Sequence, residues 1–238
     1  MADPYVYADT NVLINKLNIK NQDRLDQYEA LIFKLAFENL RQNPLNIFNT
    51  TDILNIHKLL FSEVYEWAGN IRSINIEKQE AVLNGLSVNY CDNKLILKEL
   101  NHLNNKMTIL KNDNLFIENI SRLISKMWQI HPFREGNTRA IVVFLYLYLK
   151  KFNLDINFDL LEKHSKYFRN ALVLASIGEY SEYQHLELIL NDAIFGITTN
   201  LPLNEDKSKK YKTIKNLDLS TYKYKKQANR LVFIIHIH

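Results

Sequence analysis

The segment His131-Pro132-Phe133-Arg134-Glu135-Gly136-Asn137-Thr138-Arg139 lies between two helical patterns and joins them by a short polar loop. Because proline disfavours helical conformation at the residue before it, the first helix must end close to His131. A second helix begins at Gly136 and continues through residues 140–149, which are apolar on nearly every side. A helix of that composition occupies the centre of a bundle. The sequence therefore predicts an all-α bundle built around this helix.

The chemistry of this segment is that of an anion site. The first turn of a helix has N–H groups without intrahelical acceptors and carries the positive end of the helix dipole. Gly136 lets a phosphate approach the backbone closely, and Arg139 lies one turn further into the helix. Together with His131 and Glu135, these groups suit phosphoryl-type chemistry. The residues alone leave open the alternative of a capped helix after an ordinary surface loop.

Apolar residues recur at helical spacing along much of the remaining chain. Such stripes predict core-facing helices rather than binding sites. The stripes comprise Leu25, Tyr28, Ile32 and Leu35; Ile53, Ile56, Leu60 and Val64; Ile96, Leu100, Leu103, Met107 and Leu110; and Phe116, Ile120, Leu123, Ile124 and Met127. Two further amphipathic stretches cover residues 160–175 and 181–194. His57 and His102 fall within the helical patterns and are interpreted as ordinary histidines of amphipathic helices, not as ligands.

Residues 72–90 depart from the helical pattern. Ser73-Ile74-Asn75-Ile76 alternates polar and apolar residues, and Asn84-Gly85 lies between β-prone residues. An Asn-Gly pair readily adopts the positive φ angles that a two-residue hairpin turn needs. The sequence therefore predicts one β-hairpin in the otherwise helical bundle.

Composition narrows the class of protein. The 238-residue chain is 47% hydrophobic and contains five Gly and four Pro, a balance that favours a helix-rich globule. Its single cysteine, Cys91, excludes an internal disulfide and a cysteine-based metal cluster. The amino terminus lacks the pattern of a secretory signal peptide, and residues 140–149, the longest apolar run, are too few to span a bilayer. A cytoplasmic protein is expected, with a secreted effector as the alternative.

Charge is unevenly distributed along the chain. Residues 204–238 contain nine basic and three acidic residues, a net charge of +6, which leaves −2 for the rest of a chain whose total is +4. We expect a domain at residues 1–200, with its core at about 50–195 and a helical lead at 1–49, followed by a Lys-rich tail at 204–238. A basic tail can contact acidic partners or extend into solvent, and the solvated tail is favoured. Nucleic-acid and membrane partners are not expected, and homo-oligomerisation is left open.

Residues 131–139 resemble the signature of the Fic family, His-Pro-Phe-x-(Asp/Glu)-Gly-Asn-x-Arg. Upstream, Val64-Tyr65-Glu66-Trp67-Ala68-Gly69-Asn70-Ile71-Arg72 resembles the approach to that family's flap, and Asn75-Ile76-Glu77-Lys78 resembles the flap itself. Residues 7–25 resemble the lead of the filamentation-type branch. The resemblance covers about residues 4–199, and its motif is specific because so many fixed positions match within one short stretch.

The resemblance implies a helical bundle with a β-hairpin flap. It also implies an enzyme that transfers AMP from ATP to a Tyr, Thr or Ser hydroxyl of a target protein and releases pyrophosphate. His131 would be the general base, a task that suits an imidazole near neutral pH. Glu135 would hold Mg²⁺ against the phosphates, since this cation binds through few carboxylates and several phosphate oxygens. Nucleotide binding would involve Gly136, Asn137, Thr138, Arg139 and Lys78.

The family's flap implies a docking surface for the target protein. An extended target segment would add to the free edge of the hairpin, a mode called β-augmentation. Ile74, Ile76 and Lys78 are the flap residues expected at this surface. Lys78 can equally be a solvated edge charge that protects a hairpin from aggregation.

The chain departs from the family pattern at two positions. Thr138 stands where many members have Gly, at a point where the backbone meets the phosphate. Val142 stands where AMP-transferring members usually carry a second Arg, which helps to hold the γ-phosphate and pairs with an inhibitory Glu. The inhibitory pattern itself, Ser/Thr-x-x-x-Glu followed by Gly or Asn, is not found in the sequence. We therefore expect inhibition by a small antitoxin-like partner, or none.

Other classes of function remain open. Relatives with Ala at the position of Gly136 and Lys at that of Thr138 bind the nucleotide reversed and transfer phosphate instead. Gly136 favours AMP transfer, while UMP and phosphocholine stay open as transferred groups. A catalytically weak interaction protein is the third alternative. The intact His131, Glu135 and Arg139 argue against it, and Val142 argues for it.

Overall fold

A computed structural model describes residues 3–104, 107, 115–196 and 211 of the chain. Within these residues the chain is helical, as predicted. The α-helices are α1 (Gln22–Gln42), α2 (Asp52–Phe61), α3 (Ile96–Leu103), α4 (Phe116–Ile130), α5 (Asn137–Lys150), α6 (Phe158–Lys163), α7 (Ser165–Leu174) and α8 (Gln184–Phe195). Short 3-10 turns occur at Ala81–Leu83, Asn93–Leu95 and Gly178–Tyr180.

One compact unit comprises Met1–Ile76 and Tyr90–Ile156 and is built around α5. α5 packs against α2 and α4, α2 also contacts α1, and α3 lies on α4. The side chains of residues 140, 141 and 143–149 are all buried, as the apolar run predicted. Because neighbouring helices surround α5, its amino end at Gly136 is held in a fixed place within the unit.

The apolar stripe predicted for α1 is only partly correct. Leu25 is buried, but Leu35 is 60% exposed, and the buried face carries Glu29. Residues 25 and 29 lie one turn apart on the same side of a helix. A carboxylate therefore faces the interior of this unit, and its partners are described with the site below.

The β-hairpin predicted for residues 72–90 is not confirmed, because no β-strand forms within them. The chain does reverse at Asn84-Gly85, where φ is +52° and +84° as the Asn-Gly pair predicted. The 3-10 turn at Ala81–Leu83 precedes this reversal, and the Glu80 N–H donates to the Leu86 carbonyl over 3.1 Å. The segment is therefore a tight turn with extended arms.

A second unit comprises Glu77–Asn89 and Asn157–His238. In it, α8 packs against α6 and α7, and the turn before Asn84 packs against α7. Arg169 of α7 donates to both carboxylate oxygens of the buried Glu80, over 2.8 and 3.1 Å. This ion pair connects the turn to α7.

Tyr211 is buried in the second unit, and its hydroxyl donates to Asp192 of α8 over 2.5 Å. The remainder of the basic tail predicted at residues 204–238 lies outside the described residues. The boundaries expected for the domain, its core and its lead remain predictions. None of the helices formed by residues 3–104 and 115–196 combines the length and the apolar character needed to cross a membrane.

Candidate active site

α4 ends at Ile130, and the backbone of the next residue, His131, adopts the left-handed conformation (φ 51°, ψ 62°) that commonly terminates helices. The imidazole Nδ1 lies 3.0 Å from the Trp128 carbonyl oxygen. A carbonyl oxygen only accepts hydrogen bonds, so Nδ1 carries the proton. In the neutral ring, Nε2 then holds the lone pair that a general base requires.

His131 is held in a single orientation by its neighbours. Arg72 donates from Nε to the His131 carbonyl over 2.9 Å and from its backbone N–H to the Pro132 carbonyl over 2.8 Å. The rings of Tyr90 and Trp128 pack on the imidazole, with centroid distances of 4.2 and 5.1 Å. The residue is 1% exposed, and Nε2 is buried. A hydroxyl group could therefore reach Nε2 only after the surrounding residues shift.

Arg72 connects the loop to the flap segment. Its buried guanidinium also donates to the Ile74 carbonyl over 2.6 Å and to the Cys91 carbonyl. Burial lowers the pKa of Arg72, but an arginine remains charged in proteins. In the sequence, Arg72 was identified only as the last residue of the stretch that leads to the flap. Its contacts with His131 and Cys91, which lie far along the chain, left no signal in the sequence.

Asn137, the first residue of α5, closes the loop. Its side-chain amide accepts from the Phe133 N–H over 3.0 Å and donates to the Phe133 carbonyl over 2.8 Å. Phe133 is fully buried and stacks on His57 with a centroid distance of 3.7 Å. The Asn137 amide therefore shapes the loop, and a contact of this residue with phosphate stays a prediction.

Gly136 allows the loop to enter α5. Its φ is +80°, and a Cβ at this position would lie 2.7 Å from Cε2 of Phe61. The Gly136 N–H donates to Oε1 of the partly exposed Glu135 over 3.0 Å. The N–H groups of the first turn have no acceptor within a helix. The loop therefore leads into the amino end of α5 with one carboxylate beside it, and anion binding there remains a prediction.

Arg139 lies one turn into α5, and its side chain is 31% exposed. Its guanidinium donates to Glu29 of α1, and Glu29 also accepts from the Tyr65 hydroxyl. The Phe33 and Phe61 rings lie 5.7 and 4.8 Å from the guanidinium carbon. Glu29 and Tyr65 were not predicted from the sequence. A signal existed nonetheless, since a carboxylate on the apolar face of an amphipathic helix requires a buried partner.

His57 is a structural histidine, as its helical context predicted. Its Nδ1 accepts from the Gly69 N–H over 2.9 Å, and its Nε2 donates to the Glu135 carbonyl over 3.0 Å. Burial lowers the pKa of His57 from 6.5 to about 3. The ring is therefore neutral near pH 7 and holds the backbone of Glu135 in place.

The structure thus collects one group of predicted residues at the amino end of α5: His131, Glu135, Gly136, Asn137, Thr138 and Arg139. The Thr138 hydroxyl accepts from Trp128 Nε1 over 3.0 Å and so ties α5 to α4. Ile74 and Ile76 belong to the same unit, whereas Lys78 belongs to the second unit.

The site contains one carboxylate that could hold a metal ion. Within the part of the chain that the structure describes, no cluster of three or more His, Cys, Asp or Glu could bind a cation. Mg²⁺ often binds through one or two carboxylates and substrate phosphates. Glu135, partly exposed at the helix terminus, fits an ion that arrives with a nucleotide.

Comparison with known proteins identifies a family and several similar proteins. The Fic/DOC family model matches residues 47–149. "Probable protein adenylyltransferase y4lH" of Sinorhizobium fredii is 30% identical over 184 residues, which cover 74% of this chain and 90% of that protein. "Protein adenylyltransferase VbhT" of Bartonella schoenbuchensis is 30% identical over 181 residues, which cover 75% of this chain and only 36% of that longer protein.

Solved structures show the same fold. The BepC protein of Bartonella tribocorum, a VirB-translocated effector with bound AMPPNP, has a TM-score of 0.67 at 24% identity and covers 80% of this chain and 95% of that chain. The N-terminal Fic domain of a Bep effector from Bartonella sp. AR 15-3 also has a TM-score of 0.67, at 22% identity over 83% of this chain and 93% of that chain. At these identities the likeness concerns the fold alone.

Proposed function

Since the chain belongs to the Fic/DOC family, whose relatives named above include protein adenylyltransferases, we propose that it is a protein adenylyltransferase. It transfers AMP from ATP to a Tyr, Thr or Ser hydroxyl of a target protein and releases pyrophosphate. One observation carries the proposal. An imidazole with its proton fixed on Nδ1 is joined by a short loop to a helix amino end that also presents Glu135 and Arg139.

His131 is the general base of the proposed reaction. The target hydroxyl oxygen attacks the α-phosphorus, and its proton moves to Nε2 of His131. The bond between the α-phosphorus and the oxygen that bridges to the β-phosphorus breaks, and pyrophosphate leaves. The Trp128 carbonyl supports this role because it stabilises the Nδ1–H form before transfer and the imidazolium afterwards. Since Nε2 is buried, the residues around the ring must shift before the target hydroxyl can reach it.

The first turn of α5 is the proposed phosphate site. Backbone N–H groups at residues 137–139 and the Arg139 guanidinium face the charge that develops on the leaving pyrophosphate. Glu135 would hold Mg²⁺, which offsets phosphate charge when it is bound. Gly136 favours AMP transfer over phosphate transfer, because Ala stands at its position in the relatives that transfer phosphate. In this chain an Ala there would meet the Phe61 ring and would have to adopt positive φ.

The flap is the proposed docking surface for the target. Ile74, Ile76 and Lys78 are partly buried, and the residues between them are exposed, which is the alternation of an extended segment. An extended target segment would add beside this stretch by β-augmentation. We expect Ile76→Asp to reduce target modification while ATP binding stays unchanged. Gln79→Asp, which adds the same charge at an exposed position, is the control.

Location and regulation follow from the same proposal. We propose a cytoplasmic enzyme. A secreted effector is the alternative, and it is suggested by the VirB-translocated effectors among the solved structures of this fold. We also propose that a small antitoxin-like partner supplies inhibition, since the sequence lacks the family's inhibitory pattern.

Labelled ATP tests the function. The protein is incubated with cell lysate and Mg²⁺, together with ATP labelled with ³²P at either the α- or the γ-phosphate. The proposal predicts label on protein from α-labelled ATP alone, and none with His131→Ala. Label from the γ-position alone would instead show phosphate transfer. An absence of label from both positions, with His131→Ala indistinguishable, would favour the interaction protein.

A further inference from the structure

The Arg139 guanidinium is confined by groups from α1 and α2. The Phe61 ring lies 4.8 Å from its carbon and the Phe33 ring 5.7 Å. Nη2 donates to Oε1 of Glu29. Aromatic faces attract a guanidinium, and a carboxylate fixes the direction in which its N–H groups point. Arg139 therefore has a defined position through contacts within the chain itself.

Glu29 is in turn held in place. It is 8% exposed, and its second oxygen accepts from the Tyr65 hydroxyl. Tyr65 is buried and stacks on Trp67 with a centroid distance of 4.4 Å. Burial and the neighbouring Glu29 carboxylate both raise the pKa of Tyr65, so its hydroxyl keeps the proton that it donates. The carboxylate cannot swing away with Arg139 without losing this hydrogen bond.

The contact leaves much of the guanidinium available to an anion. An arginine has five N–H donors, and the bond to Glu29 uses Nη2. The side chain remains 31% exposed. A guanidinium that is already oriented loses less conformational freedom when it binds phosphate than a free arginine would.

We propose that Glu29 and Tyr65 are positioning residues for Arg139, which they orient toward the phosphates of the nucleotide at the amino end of α5. This inference rests on the proposed function, and it assigns to α1 a part in nucleotide binding. Removing the Glu29 carboxylate would release Arg139 and weaken phosphate binding. If the Glu29 carboxylate instead competed with phosphate for Arg139, its removal would strengthen phosphate binding.

Nucleotide affinities measured by calorimetry test the proposal. We expect Glu29→Ala and Tyr65→Phe to weaken Mg²⁺–ATP binding, Glu29→Ala by roughly tenfold, as for loss of a charge-assisted hydrogen bond. Adenosine binding should not change, because adenosine has no phosphates for Arg139 to contact. Glu29→Gln, which keeps an acceptor for Nη2, should recover part of the affinity. Glu38→Ala is the matched control, since Glu38 lies on the same helix in an exposed ion pair with Arg41 (3.4 Å).

A double-mutant cycle separates positioning from damage to the fold. In an Arg139→Ala background, Glu29→Ala should have no further effect on ATP affinity, because the residue that it positions is gone. The proposal would be overturned by an unchanged or tighter ATP affinity in Glu29→Ala, by an equal loss for adenosine, or by an effect that persists in the Arg139→Ala background. If the wild-type chain binds ATP but transfers label from neither the α- nor the γ-phosphate, the proposed function is wrong. The effect of Glu29 and Tyr65 on ATP affinity can still be measured in that case.

Discussion

Gly136 meets a conformational and a spatial requirement at once. Its φ of +80° lies in the left-handed region, and a Cβ there would lie 2.7 Å from Cε2 and 2.9 Å from Cζ of Phe61. Gly85 has a similar φ of +84°, but among the described residues beyond its two chain neighbours no atom lies within 4 Å of the corresponding Cβ position. Both glycines thus require positive φ, but only at Gly136 would a Cβ also be crowded by a neighbouring side chain.

Gly136→Ala is expected to be much more harmful than Gly85→Ala. Both substitutions force an L-residue to positive φ, which costs about 1–2 kcal/mol. Only Gly136→Ala adds crowding against Phe61, a further cost of about 1–3 kcal/mol. Urea unfolding measures both variants, and ATP binding should fall only for Gly136→Ala. Equal destabilisation by the two substitutions would contradict the packing argument.

Val142 lies three residues after Arg139 on α5, a spacing that places both residues on neighbouring parts of the helix surface. Val142→Arg should add a second cation near the phosphate site and tighten ATP binding more than AMP binding, by roughly tenfold for one added ion pair. Val142→Gln, long but uncharged, is the control. If both substitutions change ATP and AMP affinity equally, Val142 is not close to the terminal phosphates.

The residues of the loop could be predicted because they are contiguous in the sequence. His131, Gly136 and Arg139 belong to one short motif whose chemistry is local, and the structure places them together. Glu29 and Tyr65 could not be identified in this way. The contacts of Glu29 with Arg139 and of Tyr65 with Glu29 depend on how α1 packs in this unit. The position of Glu29 on the buried face of α1 indicates that it has a partner but not which residue the partner is.

Among the elements, α2 supports the loop mainly through His57. The ring bridges the Gly69 N–H and the Glu135 carbonyl and stacks on Phe133. Burial lowers its pKa from 6.5 to about 3, whereas in the unfolded chain it titrates near its ordinary value. The unfolded chain therefore binds a proton more readily, and acid favours unfolding. Stability should decrease as the pH falls below about 6.5 and should continue to decrease down to about pH 3.

The histidine's share of this pH dependence is large. A pKa lowered from 6.5 to about 3 corresponds to about 5 kcal/mol at full protonation. Urea unfolding between pH 7 and pH 5.5, above the range of ordinary carboxylates, should show the free energy of unfolding falling with acid. His57→Gln should be less stable at pH 7 but show a flatter pH dependence. If the free energy of unfolding changes equally with pH in the two proteins, the pKa of His57 is not lowered in the folded chain.

The flap segment shows where local signals were insufficient. The Asn84-Gly85 pair adopted the expected positive φ angles, since that preference is intrinsic to the two residues. Strand formation, in contrast, depends on the partners of the flanking residues. In this chain Val82 and Leu83 are buried within a 3-10 turn, and Glu80 is bonded to Arg169, so the predicted ladder was not found.

For the molecule as a whole, composition predicted the helical class correctly, because few Gly and Pro and a large apolar fraction permit long helices. The division into two compact units was not predicted. It joins residues 77–89 to the helices after residue 157, and such a non-local pairing leaves no mark in composition.

Deleting residues 204–238 is expected to leave nucleotide binding intact. The contacts described above for His131, Gly136 and Arg139 come from the unit formed by Met1–Ile76 and Tyr90–Ile156. We predict that Mg²⁺–ATP affinity changes less than about twofold, as for independent sites. The melting temperature should fall slightly, because the deletion removes Tyr211 and its bond to Asp192. A large loss of ATP affinity that grows with salt concentration would show that the tail's charges contribute to binding.

The central claim is that ATP places its phosphates at the amino end of α5 with its α-phosphorus beside His131. A crystal structure of the chain with Mg²⁺ and a non-hydrolysable ATP analogue tests this most directly. The account predicts phosphate oxygens on the N–H groups of residues 137–139 and on Arg139, metal on Glu135, and the α-phosphorus open to attack on the side of Nε2. A nucleotide bound elsewhere, or one bound in reverse with its γ-phosphate next to His131, would contradict it.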